Sequence, residues 1–273
     1  MKKCMILFAL LMDCLWVKAQ SVVPQVNENV ELMSILSRMA GFQEYHMDMA
    51  GQYIKDMDSY FKDNTAHPAV GYMQALRNKY GISFDAVMSM AIHLDNRNGT
   101  LSLIEEDVPT LDKRWKEVDK GEFLSHLNNF YKETKFNAFF KAHKSLYEKG
   151  IKSYQDNVVN HFDIDWYPRF YGNEPQEVFS VIIGFCNGGG NYGVNRQVKG
   201  KKKEVFAVDA VRPGRFPAGR DRRVGAGGER ARRGPDGRRQ DRGGRLRDVS
   251  GPRAQCQGVL YHADQGVEQP EVP

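Results

Sequence analysis

Cysteine is scarce in this chain: four among 273 residues, Cys4, Cys14, Cys186 and Cys256. The first two lie in an N-terminal leader, so one cysteine remains in the body and one near the end. That number excludes a disulfide framework and leaves the fold to its core. No stretch approaches the roughly 18 consecutive apolar residues of a membrane-crossing helix. The seven histidines are His46, His67, His93, His126, His143, His161 and His262. No two are four apart, so the zinc-peptidase motif His-Glu-x-x-His is missing.

The last 65 residues lack lysine, asparagine, isoleucine and methionine altogether. The first 208 hold 19 Lys, 15 Asn, 10 Ile and 11 Met; the rest holds 14 Arg, 12 Gly and 6 Pro instead. Lys, Asn, Ile and Met have A/T-rich codons, whereas Arg, Gly and Pro have G/C-rich ones. A switch at a single point, Asp209, reads as a shifted reading frame. Residues 209–273 are therefore expected to be an out-of-frame, disordered Arg/Gly/Pro tail, poor in the apolar surface a core requires. A genuine appendage acquired by recombination, its arginines facing an acidic surface, is the other reading. The net charge of +5 sits wholly in this tail, because residues 1–208 carry 25 basic and 25 acidic side chains. Nucleic-acid binding is not inferred from it: Arg242-Gly243-Gly244 suggests an RGG segment, but only Phe216 and Tyr261 are there to stack on bases.

What is present begins with an export signal. Lys2 and Lys3 precede an apolar run from Met5 to Met12, and Val17-Lys18-Ala19 offers a cleavage site before Gln20. Residues 1–19 are thus expected to be a signal peptide and the protein to be secreted or periplasmic. Residues 20–208 read as a single α+β domain, truncated where the composition breaks.

Apolar spacing predicts helices through the first 150 residues. Leu32, Ile35, Leu36 and Met39 fall on one face, with Asn29 as the expected N-cap and Gly41 as the stop. A second helix is expected over 47–61. Pro68 suits a first helical position, with Val70, Met73, Leu76 and Tyr80 behind it and Gly81 at the end. Ser83 is the expected cap of a helix burying Phe84, Val87, Met88, Ala91 and Ile92. Asp119 and Glu122 stand at capping-box spacing before Phe123, Leu124, Leu127, Phe130 and Tyr131. Phe136, Phe139, Phe140, Leu146 and Tyr147 continue the pattern in a helix reaching Val159, with their aromatic rings assigned to the core. After Pro175 the period changes: residues 178–186 are β-branched and apolar, a buried strand. A glycine-rich turn follows at 187–193, and Glu204 to Val208 begins another strand. With helices first and strands after, the architecture reads as α+β.

Three phrases resemble one family: residues 27–38, residues 80–87, and Phe185-Cys186-Asn187-Gly188-Gly189-Gly190-Asn191-Tyr192-Gly193. It is a family of exported bacterial proteins carried as a domain of unknown function and held to be zinc-metallopeptidase-like. The resemblance covers residues 22–208 and implies a zincin-like fold, with a zinc-binding His-Glu-x-x-His helix after the strand at 204–208. That helix would supply two histidines for zinc and a glutamate to activate a zinc-bound water. No such motif occurs here, so no catalytic or metal residue is assigned and no cofactor is expected for this chain, zinc being expected only for an intact parent.

The candidate site is Asn187, Gly188, Gly189, Gly190, Asn191 and Tyr192, read as the rim of a cleft where a peptide strand pairs with exposed backbone. Nucleotide binding is rejected, because the segment lacks the Lys-Ser/Thr ending of a phosphate loop. His161, Asp163 and Asp165 read as turn residues rather than metal ligands. His93 reads as a structural histidine, and Cys186 as an inert core cysteine with no base beside it. The expected function is that of an inactive metallopeptidase-like exported protein. The alternative is a non-catalytic domain holding a peptide or glycan.

Overall fold

The structure, a computed structural model, describes residues 22–105, 109–161, 163, 169, 170, 172 and 176–211. The expected leader and almost all of the tail lie outside these residues, as does Asp165.

Helix α1 spans Glu28–Met39. Asn27, not Asn29, caps it, accepting from the Asn29 and Val30 N–H groups at 2.9 and 3.1 Å. Asn29 is one residue too late for the cap; it is buried and donates to the Leu94 carbonyl at 2.8 Å. Gly41 follows the helix end at φ +80, as its role as a stop requires. The expectation of a one-sided stripe fails, because every residue from Asn29 to Arg38 is buried. The axis of the domain is therefore a helix enclosed all round, with Glu31, Ser34, Ser37 and Arg38 carried inside beside Val30, Leu32, Met33 and Ile35.

Helix α2 (Gln52–Phe61) begins five residues later than its apolar spacing suggests, because residues 43–45 form a 3-10 turn and Gly51, at φ +50, starts the helix proper. Helix α3 (Pro68–Tyr80) has Pro68 in its first turn and ends on Gly81 in the left-handed conformation, with Val70, Met73 and Leu76 buried as expected. Helix α4 (Asp85–His93) starts after Phe84, not Ser83. Phe84 is 49 % exposed, contrary to its expected burial. Helix α5 (Lys120–Glu133) is capped by Asp119, whose side chain accepts from the Glu122 N–H at 3.0 Å. The single helix expected through to Val159 is two, α6 (Phe136–Ala142) and α7 (Lys144–Asn157), broken at His143. Phe61, Phe130, Phe136 and Phe139 pack ring against ring between α2, α5 and α6.

Between α4 and α5 runs a hairpin that the sequence reading does not contain: β2 (Leu94–Arg97) and β3 (Thr100–Leu103), antiparallel. Its turn is Asn98-Gly99, both at positive φ, the pair that a two-residue turn of right-handed twist demands.

Among the described residues the main sheet has four strands in the order β1-β4-β6-β5, where β1 is Pro24–Gln25, β4 Val178–Gly184, β5 Tyr192–Arg196 and β6 Glu204–Ala210. β1, β4 and β6 are parallel, and β5 returns antiparallel to β6 at one edge. The domain is α+β, as expected. β4 stops at Gly184, two residues short of the apolar run, where the chain turns toward Glu31. β6 pairs through Asp209 and Ala210, and the Val211 N–H reaches the Gly184 carbonyl at 3.0 Å, so the first residues beyond the compositional break belong to the sheet. Helix α4 lies against β5 and α1 against α4, and the first turn of α1 meets the carboxyl end of β4 through Glu31 and the Phe185 N–H.

Candidate functional site

The glycine-rich turn sits where β4 ends and β5 begins, and packing accounts for most of its glycines. A Cβ on Gly184 would lie 2.5 Å from Asn187 Cγ, so Gly184 makes the space that Asn187 fills. Asn187 is fully buried, and its Nδ2 donates to the Gly190 carbonyl at 3.3 Å. Gly188 has φ +68, and a Cβ there would run into the Glu44 carbonyl; on Gly189 it would meet Met47 Sδ, on Gly190 Tyr192 Oη. The segment 43–47 therefore lies directly over the turn, which only glycine permits. Asn187 and Gly188 cannot form an exposed rim, since both are buried beneath that segment. Exposure returns at Asn191 and at Gly193, while Tyr192 and Val194 point inward.

On its inner side the turn is held by Glu31. The carboxylate accepts from the Phe185 N–H at 2.7 Å and from Tyr53 Oη at 2.7 Å, and Tyr53 Oη meets Tyr147 Oη at 2.9 Å. The Cys186 N–H contributes a further hydrogen bond. Glu31 is fully buried with no cation bonded to it, so desolvation lifts its pKa from 4.5 to about 7 against the pull of those donors. At neutral pH both protonation states are populated. When the carboxyl is ionised, Tyr53 donates to it; when it is protonated, it can donate to Tyr53, whose own hydrogen then turns to Tyr147. A general acid or base must reach its substrate, and at zero exposure Glu31 reaches none. It is a latch between α1, α2, α7 and the turn. Gly150 of α7 completes it, because a Cβ there would stand 2.7 Å from the Phe185 ring.

Cys186 is 1 % exposed, and burial, followed by the nearby Glu31, pushes its thiol well above the ordinary range. Such a thiol stays protonated, which matches its reading as an inert core cysteine.

On the outer side, Glu44 receives both its oxygens' worth of Arg77 (2.7 and 2.9 Å) and accepts from the Phe84 N–H at 3.3 Å. Tyr45 Oη donates to the Phe84 carbonyl at 3.2 Å. Phe84 is thereby pinned on both sides at φ +48 and ψ −122, a conformation costing a bulky L residue on the order of 1–3 kcal/mol. Sequence reasoning missed Glu31 and Phe84. Glu31 carried one signal, a lone carboxylate between Val30 and Leu32; Phe84 carried none, since its apolar character argues for burial.

Among the described residues no group of three His, Cys, Asp or Glu converges. His93 is buried, its Nδ1 2.6 Å from the Ser89 carbonyl and its Nε2 3.0 Å from Thr110 Oγ1, and burial lowers its pKa. His46 meets the Phe42 carbonyl, His67 Glu133 and His143 Asp56, while His126 stacks on Tyr72. Asp163 pairs with Arg169.

Comparison of the chain with family models, with curated proteins and with solved structures finds no match.

Proposed function

We propose that this chain is an exported, metallopeptidase-like protein that holds an extended peptide without hydrolysing it. The observation that carries the reading is the antiparallel edge strand β5, which leaves the glycine-rich turn at the carboxyl end of β4. Ligands of open sheets with parallel strands collect outside the carboxyl ends of those strands. An edge strand offers main-chain donors and acceptors to an added strand, and the exposed, side-chain-free Gly193 lets a second backbone approach. Glu31 fixes the inner side of the turn, so the rim is held in place before any ligand arrives.

Hydrolysis is assigned only to an intact parent carrying His-Glu-x-x-His. The full chain, supplied with zinc and a fluorogenic peptide, should show no turnover while binding extended peptides in an anisotropy titration. Turnover would overturn the inactive reading, and binding of oligosaccharides but no peptide would replace the ligand class with a glycan. Translating the other two frames across codons 195–273 tests the parentage: the motif in another frame supports it, and its absence from both removes it. Export predicts a mature N-terminus at Gln20 in the periplasm or medium.

A further inference from the structure

Helices α2 and α4 begin on the same unusual backbone. Gly51 precedes α2 at φ +50 and ψ −105, and Phe84 precedes α4 at φ +48 and ψ −122. The first position is filled by the residue that adopts this conformation freely. The second is filled by one of the least suited, with half its side chain in water. Neither burial nor backbone preference accounts for a phenylalanine there. Its two pins, Glu44 and Tyr45, nevertheless hold it rigidly outward.

Met47, 56 % exposed, belongs to the same surface. It touches Gly189, while the Glu44 carbonyl abuts Gly188 and the Glu44 side chain reaches Phe84. The segment 43–47 thus carries one exposed apolar side chain and fixes another, both beside the turn that leads into β5. The charges around them are not balanced. Each apolar residue is followed by a half-exposed aspartate, Asp48 and Asp85. The ion pairs of this region set five carboxylates (Glu44, Asp48, Asp58, Asp85, Asp112) against three guanidiniums (Arg38, Arg77, Arg114), with the Lys113 ammonium as a fourth cation near Asp112.

We infer that Phe84 and Met47 are the anchor residues of the peptide site, selecting an extended segment that carries apolar and basic side chains. Its apolar groups pack on the two anchors, and its cations meet the surplus carboxylates. This rests on the peptide-binding reading of β5 and adds to it the side-chain specificity that main-chain pairing cannot provide.

The test uses the full chain and a fluorescein-labelled decapeptide of alternating leucine and lysine, with an alternating leucine-glutamate decapeptide as control. The basic peptide should bind at least tenfold tighter than the acidic one. Phe84→Gly should weaken it about tenfold while the melting temperature holds or rises, since glycine relieves the strained conformation; a purely structural Phe84 would not separate these effects. Met47→Ser, at an exposed position, should weaken binding severalfold in a normally folded protein. Equal binding of the basic peptide by wild type and both variants would overturn the anchors and leave the peptide reading intact. Equal binding of the two peptides would overturn the charge selection. No binding of either peptide by wild type would sink the peptide reading itself. Loss of a dimer in sedimentation on Phe84→Gly, with peptide binding unchanged, would make the patch a self-association surface and overturn the proposal.

Discussion

Glu31 and Glu44 each accept a backbone N–H where the chain bends, at Phe185 and at Phe84, and they lie on opposite sides of the same turn. Glu44 meets the Arg77 guanidinium with both oxygens. Glu31 meets only neutral donors in a fully buried site. Glu44 is held by a guanidinium, whereas the unpaired Glu31 makes the inner side of the turn sensitive to protons. Two exposed apolar groups, Met47 and Phe84, are on the side that Glu44 fixes. The proton-sensitive group is on the fully buried side.

Replacing Glu31 by leucine should break this contrast most severely. It strands two buried N–H donors and turns Tyr53 Oη toward an apolar group, a loss of about 3–5 kcal/mol readable by chemical denaturation. Gly188→Ala should follow at about 2–4 kcal/mol, because the new Cβ meets the Glu44 carbonyl and the backbone is at φ +68. A loss under about 1 kcal/mol would mean that the 43–47 segment moves aside readily.

A pH series sharpens the comparison without disrupting packing. Folding raises the Glu31 pKa from 4.5 to about 7, so the folded state favours the protonated form. The stability this contributes is complete below about pH 4.5 and is lost as pH rises through about 7. At about 1.4 kcal/mol per pH unit over that interval, the change comes to about 3 kcal/mol. Glu31→Gln keeps the shape and removes the titration. Wild type should therefore lose about 3 kcal/mol relative to Glu31→Gln between pH 4.5 and 7.5. Parallel curves for the two proteins would contradict the buried, unpaired state of Glu31. The smallest effect is expected on the paired side: Glu44→Gln should cost about 1 kcal/mol in chemical denaturation.

The parts of the fold legible in the sequence are those set by local chemistry. Pro68 and Gly81 bound α3, and Asp119 caps α5, because φ restriction and a side-chain acceptor act over one turn. The hairpin went unread although Asn98-Gly99 marks its turn, because its short strands are hidden by Asp95, Asn96 and Arg97, which look like loop residues. The glycine-rich segment stands out in the sequence as a place of special backbone. That Asn187 and Gly188 are buried under 43–47 follows from a contact between segments some 140 residues apart, which no local pattern carries.

Taken by itself, the chain determined that the long strands β4 and β6 follow a helical region, where α3 and α5 are bounded, and where the backbone must bend on glycine. Those choices depend on neighbours within a few residues. Only the tertiary structure decided that α1 is enclosed on every side, that Glu31 is stripped of water and lifted to about 7, and that Phe84 faces solvent in a conformation better suited to glycine. Burial, desolvation and strain are set by groups that meet in space. The same Glu in an exposed helix would be an ordinary carboxylate, and the same Phe in another turn would be part of the core.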